Sequence, residues 1–133
     1  MRCIVVTPEK TVLTQETTYV VLPLADGEYG ILPHHAPLIA RLGAGELRLA
    51  CADGKLTHYY VEGGFAEVLD DTVALLTMYA LPAEKLDLAK AEADLEKEQA
   101  DTGSTMKLAD IRQGKLNRCR ARVRVAKKMA ENR

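Results

Sequence analysis

Hydrophobic and polar residues alternate in short stretches over residues 1–80 of the chain. Between Glu46 and Cys51 the apolar side chains occupy every second position, and Lys55–Val61 shows the same two-residue period. This alternation predicts half-buried β-strands, and the Asp53-Gly54 pair between them is typical of a tight hairpin turn. Other short apolar runs follow the same spacing and are separated by turn residues. Strands this short and close together predict an antiparallel sandwich or barrel.

Three positions predict departures from regular strand pairing. Pro23 lies inside a β-rich stretch and predicts an edge strand or a bulge, because proline has no N–H to donate to a neighbouring strand. Gly63-Gly64 predicts a bulge or a close approach of two backbone segments. Asp70-Asp71 predicts a turn between two further strands.

The period changes near Leu81-Pro82, where an alanine-, leucine- and glutamate-rich segment begins. Leu86, Ala89 and Ala93 share one face of a predicted helix. A break follows, and Ser104 or Thr105 is a candidate N-cap for a second helix. The apolar stripe of the second helix has spacings of three and four residues: Leu116, Cys119, Val123, Ala126 and Ala130. Two helices joined by a short break predict an antiparallel hairpin, which Gly114 weakens or interrupts.

Length and composition restrict the class of protein without naming it. The chain has 133 residues, of which 47% are apolar and 28% charged, as in an ordinary globular domain. No run of apolar residues is long enough to span a membrane, and the first ten residues lack the apolar region of a signal peptide. Cys3, Cys51 and Cys119 have neither disulfide-framework nor zinc-site spacing, so we expect reduced, buried or half-exposed thiols.

The net charge of −1 conceals two oppositely charged segments. Residues 1–102 carry 8 basic and 17 acidic side chains, whereas residues 103–133 carry 10 basic and 2 acidic ones. The two net charges are therefore −9 and +8. A basic helix of this kind is a solvated face, a nucleic-acid-binding arm or an arm that docks on an acidic protein surface. Composition leaves the last two interpretations open.

No residue pattern predicts catalysis. The chain lacks a GxSxG, a GxxxxGK[ST] and an HExxH motif, and its carboxylates are not paired for acid–base work. His34-His35 is the most conspicuous polar pair, but His58 is the only other histidine and no cysteine is adjacent to any of them. We therefore predict no catalytic residues and no metal site.

Two segments carry a family resemblance. Gly27–Leu38 reads GEYGILPHHAPL and resembles the GxxGILPxHAPL signature of the epsilon subunit of rotary ATP synthases, whose mitochondrial counterpart is called delta. Residues 63–68, GGFAEV, resemble a strand of the same family, and Arg120–Val125 is similar to its arginine-rich last helix. The resemblance extends over nearly the whole chain, in the same order.

The resemblance implies an α+β fold. Roughly ten short strands would form an antiparallel β-sandwich over residues 1–82, and a two-helix hairpin would occupy residues 83–133. It also implies a non-catalytic subunit of the central stalk, or rotor. The sandwich would bind the gamma subunit and the c-ring, with Glu28 and Tyr29 facing the c-ring and His35 lying at the gamma contact.

The resemblance makes the hairpin a regulatory arm that inhibits ATP hydrolysis. Its extended form would meet an acidic segment of the beta subunits in the alpha/beta catalytic head. The basic residues that would pair with that segment are Arg118, Arg120, Arg122, Arg124, Lys127 and Lys128. No cofactor is required, but some members bind ATP as a regulatory ligand through an [IL]DxxRA motif. Asp87 and Lys90 occupy the matching positions, and Lys90 lacks the planar fork of the arginine it replaces.

The resemblance places the protein peripherally on the cytoplasmic face of an energy-transducing inner membrane, or on the stromal face of a thylakoid. Its membrane association would come only through the complex, with no nucleic-acid partner. Two alternatives remain: a small β-sandwich protein whose basic helical arm binds nucleic acid, and a histidine-containing β-barrel enzyme. Co-purification with gamma argues against the first, and metal analysis of the purified protein tests the second.

Overall fold

A computed structural model describes residues 1–100 and 106–131, with side-chain environments for residues 1–99 and 113–131. The chain divides into two compact units, Met1–Pro82 and Ala83–Arg133. The predicted break and the candidate caps Ser104 and Thr105 lie outside the described residues. None of the described helices is long and apolar enough to cross a membrane.

The first unit contains ten strands in two five-stranded sheets. Sheet I has the order β2-β1-β9-β8-β5, and sheet II has the order β10-β7-β6-β3-β4. The strands are β1 (Arg2–Val6), β2 (Thr11–Glu16), β3 (Tyr19–Leu24), β4 (Gly27–Ile31), β5 (Leu38–Arg41), β6 (Ala44–Ala50), β7 (Leu56–Glu62), β8 (Phe65–Leu69), β9 (Thr72–Leu76) and β10 (Tyr79–Pro82). The predicted α+β fold class, a sandwich followed by two helices, is confirmed.

One strand pair departs from the antiparallel pattern. Within residues 1–82, all of them described, β1 pairs with β9 in parallel, and the other pairs are antiparallel. The register places Cys3 opposite Val73 and Val5 opposite Leu75. These four side chains are fully buried. The parallel pair therefore joins two strands distant in sequence through a shared core face.

The core lies between the inner faces of the two sheets. Leu22, Leu47 and Leu49 of sheet II are fully buried. They belong to one cluster with the buried residues of β1, β8 and β9. Burial raises the pKa of the Cys3 thiol to about 12, so this cysteine is an inert apolar residue.

The tight turns follow their residue types. Gly54 closes the β6–β7 hairpin with a φ of +85°, as the Asp53-Gly54 pair predicts. Asp70 and Asp71 form the β8–β9 turn with φ values of +50° and +57°. Two consecutive positive φ values match the twist of a two-residue hairpin.

The predictions for Pro23 and for Gly63-Gly64 have different outcomes. Pro23 is in β3, which is an interior strand of sheet II, so the prediction of an edge strand is wrong. The proline is tolerated because β3 pairs with β6 only over Tyr19–Val21, before Pro23 is reached. Gly64 has a φ of +95°, and a Cβ there would collide with the carbonyl oxygen of Leu76. The predicted close backbone approach is therefore confirmed.

The second unit contains a 3₁₀ turn (Ala83–Lys85), helix α1 (Leu88–Ala100) and helix α2 (Met106–Glu131). Helix α1 buries Ala91, whereas Ala89 and Ala93 on the neighbouring face are exposed. Helix α2 is continuous through Gly114, so the predicted interruption is wrong, and a weakening of the helix by Gly114 stays a prediction. Its buried residues include Leu116 and Ala126 of the predicted stripe, together with Ala121 and Val125.

Candidate partner-binding surfaces

The signature segment begins on β4, an edge strand of sheet II. Glu28 is exposed, and its Oε2 accepts a hydrogen bond of 2.6 Å from Arg48 on β6. Arg48 also donates to Oε1 of Glu46, over 3.3 Å. The hydrogen bond to Glu28 is the largest cause of a raised pKa of the Arg48 guanidinium. Glu28 is therefore held in position by a charged neighbour.

Tyr29 and His35 meet across the loop that follows β4. The tyrosine OH lies 2.8 Å from Nε2 of His35, and the two rings pack edge to face with centroids 5.6 Å apart. Nδ1 of His35 lies 2.6 Å from the carbonyl oxygen of Ala36. A carbonyl only accepts, so Nδ1 carries a proton, and in the neutral ring Nε2 accepts from Tyr29. The structure thus unites two of the three loop residues singled out from the sequence.

His34 has a different role from its neighbour. Its φ of +65° is unusual for a residue with a side chain, and its backbone N–H donates to Oδ1 of Asp71 over 2.9 Å. This hydrogen bond is the largest cause of a lowered pKa of the Asp71 carboxyl group. The turn between β8 and β9 therefore fixes the signature loop. Among the described side chains, no group of three or more His, Cys, Asp or Glu residues could hold a metal ion.

An open groove lies beside the signature segment, between the edge strands β4 and β5. It encloses about 640 Å³. Its walls combine apolar side chains such as Leu24 and Leu38 with the charged residues Asp26, Glu28 and Arg41. Tyr29 also lines this groove. The groove lies where both sheets end, because β4 and β5 are the edge strands of their sheets.

The outer surface of sheet I is unusually apolar. Inward-facing residues such as Val68 and Leu75 alternate with exposed apolar ones. We call this outer set the apolar face: Ile39, Phe65, Leu69 and Leu76 are exposed, and Ala74 is half-buried. Ile39, Phe65 and Leu76 are 72%, 57% and 60% exposed. Exposed apolar residues grouped in this way mark interaction surfaces.

The basic side chains predicted for the hairpin lie on α2. Arg122 is half-buried, and the others are exposed: Arg118, Arg120, Arg124, Lys127 and Lys128. Asp87 precedes α1, and its Oδ1 accepts a hydrogen bond of 3.1 Å from the backbone N–H of Lys90. This is the geometry of a helix N-cap, which explains an aspartate at this position without a ligand. ATP binding by Asp87 and Lys90 stays a prediction.

Comparison with known proteins decides the family. Residues 1–83 match the family model "ATP synthase, Delta/Epsilon chain, beta-sandwich domain". The chain belongs to this family. A relative from Rhodopirellula baltica, named ATP synthase epsilon chain, is 42% identical over 127 residues, covering 96% of this chain and 98% of that protein. A second epsilon chain, from Desulfitobacterium hafniense strain Y51, is 43% identical over 122 residues, covering 91% of this chain and 90% of that protein.

Solved structures extend the likeness to the fold. A chain in the Euglena gracilis mitochondrial ATP synthase structure (OSCP/F1/c-ring) superposes with a TM-score of 0.80 at 25% identity, covering 90% of this chain and 76% of that one. A chain in the Tetrahymena thermophila central stalk/c-ring structure gives 0.68 at 14% identity, covering 95% and 96%, which supports the fold alone. As a delta/epsilon chain, the protein is a non-catalytic central-stalk subunit of ATP synthase.

The sequence carries the delta/epsilon signature in one segment, whereas the apolar face is spread over several strands. Its signal is present in β8 and β9, where apolar residues occupy both odd and even positions, as in Val73–Leu76. A strand that buries one face and still carries apolar residues on the other predicts an exposed apolar surface. The sequence does not reveal the contact of Asp71 with His34, because the two residues are 37 positions apart.

We expect Asp71→Ala to loosen the signature loop of this delta/epsilon chain. The substitution removes the acceptor of the His34 N–H, so that amide should exchange with solvent about fivefold faster, the effect of one lost hydrogen bond. Asp71→Asn keeps an acceptor oxygen and tolerates positive φ, so it should stay near the original rate. Hydrogen-exchange NMR measures both.

Asp70→Ala is the matched control, because Asp70 has the same kind of φ and its side chain has no hydrogen bond or ion pair with described residues. Equal effects of the two alanine variants would attribute the change to turn strain instead of the tether, which is the hydrogen bond from the His34 N–H to Asp71.

The lowered pKa of Asp71 also predicts how the strength of this tether changes with pH. The tether is complete above the ordinary aspartate pKa of about 4 and is lost as the pH falls through the lowered value. Asp71→Asn should remove that step.

Proposed function

We propose that this stalk subunit couples the gamma subunit to the c-ring and that its helical hairpin restrains ATP hydrolysis. Membership in the delta/epsilon family supports the stalk location. The observation that carries the coupling role is the continuity of the signature loop with the apolar face. Leu32 is 61% exposed on the loop, and the loop leads directly into β5, where Ile39 is 72% exposed.

The β4 part of the signature segment supplies the contact to the c-ring in this proposal. Glu28 and Tyr29 are exposed, and both are oriented by side-chain partners within the sandwich. Such preorganisation lowers the entropic cost of docking on a moving partner. His35, held by Tyr29 and by the carbonyl group of Ala36, lies at the gamma contact.

The hairpin supplies the regulatory contact. Its exposed arginines and lysines on α2 offer a cationic surface to an acidic segment of the beta subunits. In this proposal the subunit lies peripherally on the cytoplasmic face of the energy-transducing membrane, or on the stromal face of a thylakoid. ATP would act on this arm as a regulatory ligand near Asp87 and Lys90.

Co-purification tests the coupling role. Tagged full-length chain is mixed with its cognate gamma subunit and with detergent-solubilised c-ring, and we expect a stable ternary complex. Glu28→Gln and Tyr29→Phe should weaken retention of the c-ring, whereas Asp53→Asn in the β6–β7 turn should not. Failure to retain gamma, together with salt-sensitive retention on nucleic acid, would support the nucleic-acid-binding alternative.

A further inference from the structure

A single carboxylate lies in the middle of the apolar face. Glu67 is exposed on β8, with Ile39 directly opposite it on β5 and Ala74 opposite it on β9. Phe65 and Leu69 lie two positions before and after it on the same strand and therefore on the same side of the sheet. Cross-strand neighbours of this kind lie about 5 Å apart at Cβ. Glu67 is thus bordered on four sides by apolar side chains.

In the described structure, no cation of the sandwich is paired with this carboxylate. Glu67 makes no ion pair with any of the described residues. Arg41, the basic residue nearest to it in the sheet register, lies opposite Phe65. Glu28, the exposed carboxylate on β4 of sheet II, has Arg48 as a partner. Glu67 therefore differs from Glu28 in having no ion-pair partner among the described residues.

Docking of the apolar face would remove Glu67 from water. A carboxylate buried without a counter-charge is strongly unfavourable, whereas one matched by a hydrogen-bonded cation is tolerated and selects the correct partner. An apolar surface with a central acid is therefore complementary to an apolar surface with a central base. The charge of the whole unit favours the same kind of partner, because residues 1–82 carry 10 acidic and 5 basic side chains.

We propose that the apolar face docks on an apolar protein surface of the stalk that presents one arginine or lysine to Glu67. The proposal rests on the stalk-coupling function above and adds the chemistry by which the partner is selected. Arginine fits best, because its planar guanidinium group can bind the carboxylate with two hydrogen bonds while it stacks on the exposed ring of Phe65.

Two other occupants fit this surface less well. A second copy of the chain, docked about a two-fold axis through the centre of the face, would bring two Glu67 carboxylates together. An anionic lipid surface would meet a carboxylate of its own sign. Both give distinct outcomes in the experiment below.

The test measures binding of the full-length chain to its cognate alpha₃beta₃gamma complex, with rate constants taken from surface-attached complex. Glu67→Gln keeps the shape and removes the charge, and it should raise the dissociation constant by about 30-fold or more, mostly through faster dissociation. Glu67→Lys should weaken binding further by like-charge repulsion. Glu9→Gln, the same substitution at an exposed position in the β1–β2 turn, should change nothing.

The outcomes separate this proposal from the stalk function. If the unsubstituted chain binds and Glu67→Gln binds equally well or more tightly, the cationic partner is wrong and the stalk function stands. If the unsubstituted chain does not bind at all, the coupling function proposed above fails. If the free chain dimerises and Phe65→Ser abolishes the dimer, the occupant of the apolar face is a second copy of the chain. If the chain is retained on vesicles with anionic lipid, the occupant is a lipid surface. Unchanged melting temperatures of the variants exclude a folding defect.

Discussion

Gly64→Ala is expected to destabilise the sandwich by about 3 kcal/mol or more. A Cβ at this position would collide with the carbonyl oxygen of Leu76, and the φ of +95° is itself strained for alanine. The backbone has no room to retreat, because the carbonyl group of Gly64 accepts a hydrogen bond of 2.8 Å from the N–H of Leu42. Urea unfolding followed by circular dichroism measures the loss.

Gly63→Ala is the matched control for this prediction. Gly63 is the preceding residue and also has positive φ, +68°, but a Cβ there meets nothing within 4 Å. Alanine should cost only the backbone strain, about 1–2 kcal/mol. Equal destabilisation by the two variants would show that the steric contact with Leu76 is relieved at no cost and that φ alone determines the requirement for glycine.

The local features of this fold could be predicted from the sequence, because turns depend on residues adjacent in the chain. Asp53-Gly54 and Asp70-Asp71 form the hairpins that their residue types indicate. The parallel pairing of β1 with β9 could not be predicted in this way. It joins Val5 to Leu75. The same alternation of apolar residues fits an antiparallel neighbour equally well.

In the candidate site, too, the residues adjacent in sequence could be predicted and their distant partners could not. Glu28, Tyr29 and His35 were found because they lie in one recognisable segment. The partners that fix this segment come from distant strands and turns: Arg48 for Glu28 and Asp71 for the loop. Glu67 belongs to a recognisable strand, but its significance depends on Ile39 and Ala74 in neighbouring strands, which the sequence does not reveal.

Removal of residues 83–133 is expected to raise ATP hydrolysis by the assembled complex about fivefold or more, the size of a typical allosteric coupling. Residues 1–82 retain both five-stranded sheets and the buried cluster between them. The truncated chain should therefore still bind the stalk with unchanged affinity. Hydrolysis by complexes reconstituted with equal amounts of full-length and truncated chain is the measurement.

In our proposal the basic charges of α2 cause the inhibition of hydrolysis, and paired substitutions test the contribution of charge alone. Arg120→Gln with Lys127→Gln removes two exposed charges from α2, whereas Lys85→Gln with Lys97→Gln removes two exposed charges from the 3₁₀ turn and α1. Only the α2 pair should raise hydrolysis, and by less than truncation, because exposed ion pairs contribute about 0.2–1 kcal/mol each. Added salt should screen the same contacts and reduce the difference in hydrolysis between the unsubstituted chain and the α2 variant. Unchanged hydrolysis after truncation, with binding intact, would remove the inhibitory role and leave the coupling role in place.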